Sequence, residues 1–294
     1  MDNTERVRNT DVVPAPVLVV AAIASVQSGA AVAIKLFPAV GAGGAVLLRL
    51  AIAAVILCGV VRPPVRAFSR TDLGLTVGFG VVLAAMNASF YLALDRIPLG
   101  VAVTIEFLGP LAVAIGGSRR MVDGVWVVLA AAGVVLLGGG GGQLSATGVV
   151  CAAVAAVCWA GYILLSQRVG QVVPGLSGLA VALVVGAVLT APYGLVAGGK
   201  ALTRPAVLGK GLAVALLSSV VPYSLELLAL RRMRAAIFGV LMSLEPAMAA
   251  LSGLVFLGQH LRDREWLALG CVVIASVGAT AAARTRLPAE MIEG

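Results

Sequence analysis

The stretch Trp126-Val-Val-Leu-Ala-Ala-Ala-Gly-Val-Val-Leu-Leu137 decides the fold class. A strand that crosses a membrane alternates apolar and polar residues with a period of two, and nothing alternates here. A run without a polar break reads as a helix that is apolar all round. Similar runs recur along the chain. Breaks at charges, Pro and Gly separate ten apolar segments, at 17–35, 43–61, 73–94, 98–117, 124–140, 146–166, 176–197, 207–229, 235–257 and 265–283. A spanning helix needs about 20 apolar residues, so ten of them leave only short loops and tails in a chain of 294 residues. The expectation is an all-α membrane protein.

Composition points the same way. Apolar residues make up 61% and charged residues 12%, where a soluble domain carries about 25% charged. With 36 Gly, 13 Pro and a mean hydropathy of +1.08, polar groups are too few to cover a water-facing surface. Disorder is excluded as well, because apolar burial outweighs the chain entropy. The net charge of +8 is no nucleic-acid signal, since the cations sit at the ends of apolar segments and no basic run is interleaved with aromatics. The polar residues 1–16 read as a cytoplasmic tail and the run after Pro16 as a retained first helix, with no cleavage site closing it. Cys58, Cys151, Cys158 and Cys271 all lie in apolar runs, with neither metal spacing nor a disulfide framework. No metal and no cofactor is expected, and His260 receives no role.

The chain is self-similar about the glycine run Gly138 to Gly142, which lacks the Gly-Lys-Ser/Thr ending of a phosphate loop and reads as a linker. Asp123-x-x-Trp126 opens the fifth segment and Asp263-x-x-Trp266 the tenth, each Asp suited to cap a helix. Ser25-x-Gln27-Ser28 with Lys35 overlays Cys158-x-Ala160-Gly161 with Arg168, and Glu106-Phe-Leu-Gly-Pro110 overlays Ser-Leu-Glu245-Pro246. Five helices per unit force the second copy to enter from the opposite side. That predicts two inverted five-helix repeats, 17–140 and 146–283, with a C-terminal tail at 284–294. Arg6, Arg8, Arg62, Arg66, Arg70, Arg119 and Arg120 against Lys35 and Arg96 place both termini in the cytoplasm.

Four residues do not belong in such helices: Arg49, Glu106, Glu226 and Glu245. A charge at the membrane centre costs about 2.5–3.5 kcal/mol, so each carboxylate must face a wet cavity, be paired, or carry a proton. Pro110 follows Glu106 by four residues and frees its carbonyl; Pro222 precedes Glu226 by four; Pro246 directly follows Glu245. Every buried acid thus stands at a helix break, as in the discontinuous helices of transporters. Ser219, Tyr223 and Glu226 share one helical face, as do Phe238, Met242 and Glu245, while Asn87 and Tyr91 form a shorter polar pair. Gln27, Ser28 and Trp159 complete the candidate lining. Arg49 suits either a substrate carboxylate or a standing partnership with one Glu, and Lys35, at a helix end, snorkels to the interface.

Ile-Glu106-Phe-x-Gly-Pro110, Ser118-Arg-Arg120-x-Val-Asp123, Pro222-Tyr-Ser-Leu-Glu226 and Leu241-Met-Ser-x-Glu245-Pro246 resemble the drug/metabolite transporter superfamily, EamA type. The likeness runs through nearly all of residues 17–283. One departure is Gly258-Gln259, where many relatives carry Gly-Glu. The resemblance implies efflux of small amino acids such as threonine and homoserine, driven by inward proton movement in a bacterial plasma membrane, by a monomer or homodimer. In that scheme Glu106 or Glu226 meets the ammonium group beside Tyr223 and Tyr91, and Arg49, Asn87 or freed helix-end amides meet the carboxylate. A broad drug or metabolite exporter is the alternative within the fold, and a non-transporting scaffold or receptor the alternative outside it. Neither His-Glu-x-x-His nor Gly-x-Ser-x-Gly occurs, which argues against an enzyme.

Overall fold

A computed structural model describes residues 13–116, 144–173, 175–230 and 241–284, together with residues 125, 126, 128–130, 132, 133, 136 and 238. The glycine linker, Asp123, Arg119, Arg120 and the tail residues 1–12 and 285–294 lie outside the described residues, as does the side chain of Tyr223. Among the described residues all regular structure is helical. The helices are α1 (Ala15–Ile34), α2 (Phe37–Val61), α3 (Arg70–Leu94), α4 (Leu99–Glu106), α5 (Leu108–Gly116), α6 (Ala146–Val172), α7 (Ser177–Gly198), α8 (Pro205–Ala215), α9 (Val221–Leu230), α10 (Glu245–Leu257) and α11 (Asp263–Arg284). A π-helical turn, Leu216–Val220, joins α8 to α9.

Among the described residues five helices are long and apolar enough to cross a membrane: α1, α2, α3, α6, and α7 with its 3₁₀ extension to Thr203. Of the other apolar stretches, the tenth forms the unbroken helix α11, most of the fifth lies outside the described residues, and the fourth, eighth and ninth are interrupted. The segment read as one helix over 98–117 breaks at Phe107 into α4 and α5, because Pro110 has no N–H to offer the carbonyl of Glu106. The segment over 207–229 contains the π turn, and in the ninth segment a turn at Ser243 and Leu244 separates helical Leu241 and Met242 from α10, which starts at Glu245. The second segment starts at Phe37 rather than residue 43, with a kink at Gly41, whose φ of 66° only glycine adopts without strain. The sixth runs on to Val172, since Gln167, Arg168 and Gln171 are polar but good helix formers.

Local signals explain the remaining boundaries. Ser69 and Asp72 form a reciprocal capping box that starts α3. The Ser145 hydroxyl accepts from the Gly148 N–H to start α6. At α11 the expectation needs correcting. Asp263 occupies the first helical position, and it is Glu265 that reaches back to accept from the Arg262 N–H at 2.8 Å.

Size is distributed as expected of a protein in lipid. Val55, Val157 and Val196 are among the large apolar side chains turned outward, whereas Ala22, Ala31, Ala53, Ala155 and Ala249 are buried between helices. Small residues let helices approach closely where no hydrophobic effect drives them together. At Gly109 two backbones approach closely, and a Cβ there would collide with the Ala156 carbonyl of α6. The packing runs mostly across the chain's midpoint. α2 lies on α7, α3 on α6 and α7, α1 on α9 and α10, and α4 on α10 and α6. This interleaving surrounds an internal chamber.

Candidate functional site

The chamber has a volume of about 630 Å³. Each in-span charge reaches it: Arg49 from α2, Glu106 from the end of α4, Glu226 from α9 and Glu245 from the start of α10. Gln27, Asn87, Trp159, Pro110 and Pro222 also line it, so most of the sequence-predicted site converges on one space. Phe238, Met242 and Glu245 share the cavity wall as their spacing predicted. Glu106 interacts electrostatically with Glu245 and Arg49, and Glu245 with Glu226.

Two of the breaks, at Glu245 and at the π turn, have polar partners on α1 and α2. Gln27, only 2% exposed, donates its Nε2–H to Glu245 Oε1 at 3.3 Å. Arg49 Nη2 donates to the Ser218 carbonyl at 3.0 Å, and the Ser25 hydroxyl to the Leu217 carbonyl at 2.8 Å. Both acceptors belong to the π turn. Pro222 supplies no N–H four residues back, to Ser218, so α1 and α2 bond the carbonyls that the irregular turn leaves over. Arg49 thus holds a backbone carbonyl, a role not among those its sequence position suggested. Its guanidinium carbon also lies 5.8 Å from the centroid of the Tyr91 ring.

Several expected residues stand elsewhere. Tyr91 is fully buried beneath Arg49 and packs on Phe37 and Phe90 instead of lining the cavity. Ser28 is half-buried outside the lining, and Pro246 is buried in the first turn of α10. Asn87 lines the cavity, but its amide donates to the Leu83 carbonyl at 2.9 Å. Ser219 faces a small apolar recess beside Ala53 and Leu179, and Ser218 takes its place in the chamber. The π turn inserts one extra residue and rotates the face on which regular spacing had placed Ser219. Gln259, the departure noted above, accepts from the Leu99 N–H at 3.0 Å and so caps the start of α4.

The sequence reading missed Tyr162 and Ser166, which follow Trp159 along the cavity-facing side of α6. Their spacing of three and four residues was a usable signal. Phe107, at the α4–α5 break, was also missed; it packs edge-on against Trp159 with ring centroids 5.8 Å apart.

An apolar helical protein folded around a chamber with ionisable walls has the build of a membrane transporter. Residues 146–281 match the EamA-like transporter family. Over 271 residues the chain is 44% identical to the threonine/homoserine exporter RhtA of Escherichia coli (strain K12), covering 91% of this chain and 92% of that protein. It is 44% identical over 269 residues to the exporter of the same name from Salmonella typhimurium (strain LT2), covering 90% and 91%. A solved crystal structure aligns with a TM-score of 0.62 at 21% identity over 92% of this chain and 98% of its own, a likeness of fold. The chain belongs to the EamA-like transporter family, as a multi-pass membrane protein, and its named relatives are exporters rather than enzymes.

Proposed function

We propose that this protein exports small amino acids such as threonine and homoserine across the bacterial cytoplasmic membrane, exchanging them for protons by alternating access. The observation that carries the proposal is the meeting of Glu106, Glu226 and Glu245 with Arg49 on one chamber. A zwitterion needs an anion for its ammonium and donors for its carboxylate, and this wall offers both. Protons arriving from outside neutralise a carboxylate and expel the amine; ionisation towards the cytoplasm restores the site. Reciprocal linkage then makes proton and substrate compete. The relatives' printed names, threonine/homoserine exporter, supply the cargo.

The architecture proposed for this cycle is ten spans in two inverted five-helix repeats, 17–140 and 146–283, with both termini in the cytoplasm. The packing across the midpoint supports it. Exchanging first with sixth, second with seventh, third with eighth and fourth with ninth segments maps α2–α7 onto itself, α3–α6 onto α1–α9, and α4–α6 onto α1–α10. The test is flux in proteoliposomes carrying Glu106→Gln or Glu226→Gln. Threonine export driven by a pH gradient is expected to collapse in both; its survival in both would refute the exchange.

The chamber size favours a second reading. About 630 Å³ falls within the range that accommodates drug-sized ligands, about 300–1,000 Å³, so a broader exporter fits the same walls. Competition of lipophilic cations with threonine for one flux separates the two.

A further inference from the structure

Glu245 and Gln27 form a matched pair with an opening. The amide N–H of Gln27 faces Glu245 Oε1, which turns the Gln27 carbonyl oxygen away from the carboxylate. Gln27 Oε1 and Glu245 Oε2 have no hydrogen-bond partner among the described residues. The two side chains are 2% and 6% exposed, and both line the chamber. Two buried acceptors on one chamber wall, each without a donor, are a costly arrangement. A donor-only cation in the chamber supplies what both lack, and an ammonium group, with three N–H bonds and no acceptor, has that chemistry.

Helix geometry separates this acid from the other one at a break. Glu245 is the first residue of α10, where the N-terminal N–H groups and the helix dipole stabilise an anion. Glu106 is the last residue of α4, where they do not. A standing negative charge suits amine capture, and a carboxyl without that support suits proton exchange.

We infer that Gln27 Oε1 and Glu245 Oε2 are the subsite for the substrate's α-ammonium group, leaving proton exchange to Glu106 and Glu226. This assignment rests on the amino-acid export proposed above. It deepens that reading by choosing among the three carboxylates. The specificity that follows is for a free α-amine, whatever the side chain.

The test is binding of tritiated threonine to the purified full-length protein in detergent, by scintillation proximity. The competitor is 2,3-dihydroxybutanoate, which carries a hydroxyl in place of the amine. Losing one charge-assisted contact to a buried carboxylate makes the competitor at least about tenfold weaker than threonine on wild type. In Glu245→Gln that preference shrinks to within about threefold, while Glu106→Gln and Glu226→Gln preserve it. Gln27→Leu, which leaves the carboxylate in place, narrows the preference in the same direction and stands in should Glu245→Gln not fold. An undiminished preference in Glu245→Gln, or in Gln27→Leu where that variant stands in, overturns the assignment, and so does its collapse in Glu106→Gln instead. In both of those cases amino-acid export stands. Absence of saturable threonine and homoserine binding to wild type removes the export reading and this subsite with it.

Discussion

The two helix breaks beside the chamber use the same residue types to opposite effect. At the first, Glu106 closes α4 and Pro110 stands in the first turn of α5. At the second, Glu245 opens α10 and Pro246 follows at once. Proline in a first helical turn costs nothing, because that N–H would be unpaired anyway. Its distance from the acid therefore decides which helix end the carboxylate meets. Four residues put Glu106 before the break; one residue puts Glu245 after it. Two acids beside matching prolines, at different distances from them, become chemically unlike.

The largest expected effect breaks the comparison at its acids. Glu106→Gln is expected to lower pH-gradient-driven threonine export below about one hundredth of wild type, a barrier change of roughly 2.7 kcal/mol. Radiolabel flux in proteoliposomes reads it, with threonine binding retained. The prolines come next. Pro110→Ala restores an N–H for the Glu106 carbonyl and fuses α4 to α5, and is expected to cut export about tenfold. Pro246→Ala touches only a helix start and should leave export within about twofold. Equal losses in the two proline variants would mean that break position is immaterial.

Smaller effects concern the scaffold that holds each break. Gly109→Val drives a side chain into the Ala156 carbonyl, so α5 must move off α6. A loss of about 1–3 kcal/mol is expected, read as a lower unfolding midpoint in detergent. Gln259→Leu removes the cap on the Leu99 N–H at the start of α4. About 1 kcal/mol is expected, with faster hydrogen exchange at Leu99.

The sequence made much of this legible. Continuous apolar runs identified the long helices α1, α2, α3, α6 and α7, and charges out of place identified Arg49, Glu106, Glu226 and Glu245 as neighbours on one cavity. Intrinsic cost is a local property, so these residues announce themselves. The π turn did not. One inserted residue at Leu216–Val220 leaves composition unchanged, yet it exchanges Ser219 for Ser218 in the chamber. Arg49's bond to the Ser218 carbonyl was equally hidden, because a freed backbone acceptor leaves no mark in side-chain type. Pro222, four residues on, was its only trace. Tyr91 shows the converse, a polar residue on an expected face whose ring is wholly buried against Phe37 and Phe90. A helical face alone does not say whether a cavity or a neighbouring helix meets it.

The most direct test of proton-for-amine exchange needs no flux. Threonine is added to the purified protein in weakly buffered detergent, and a pH dye follows released protons. Wild type is expected to release up to about one proton per threonine bound, and the Glu106→Gln/Glu226→Gln double variant none. Saturable threonine binding by wild type with no proton release at any pH between 5 and 9, a range of about two units either side of neutrality, would contradict the account.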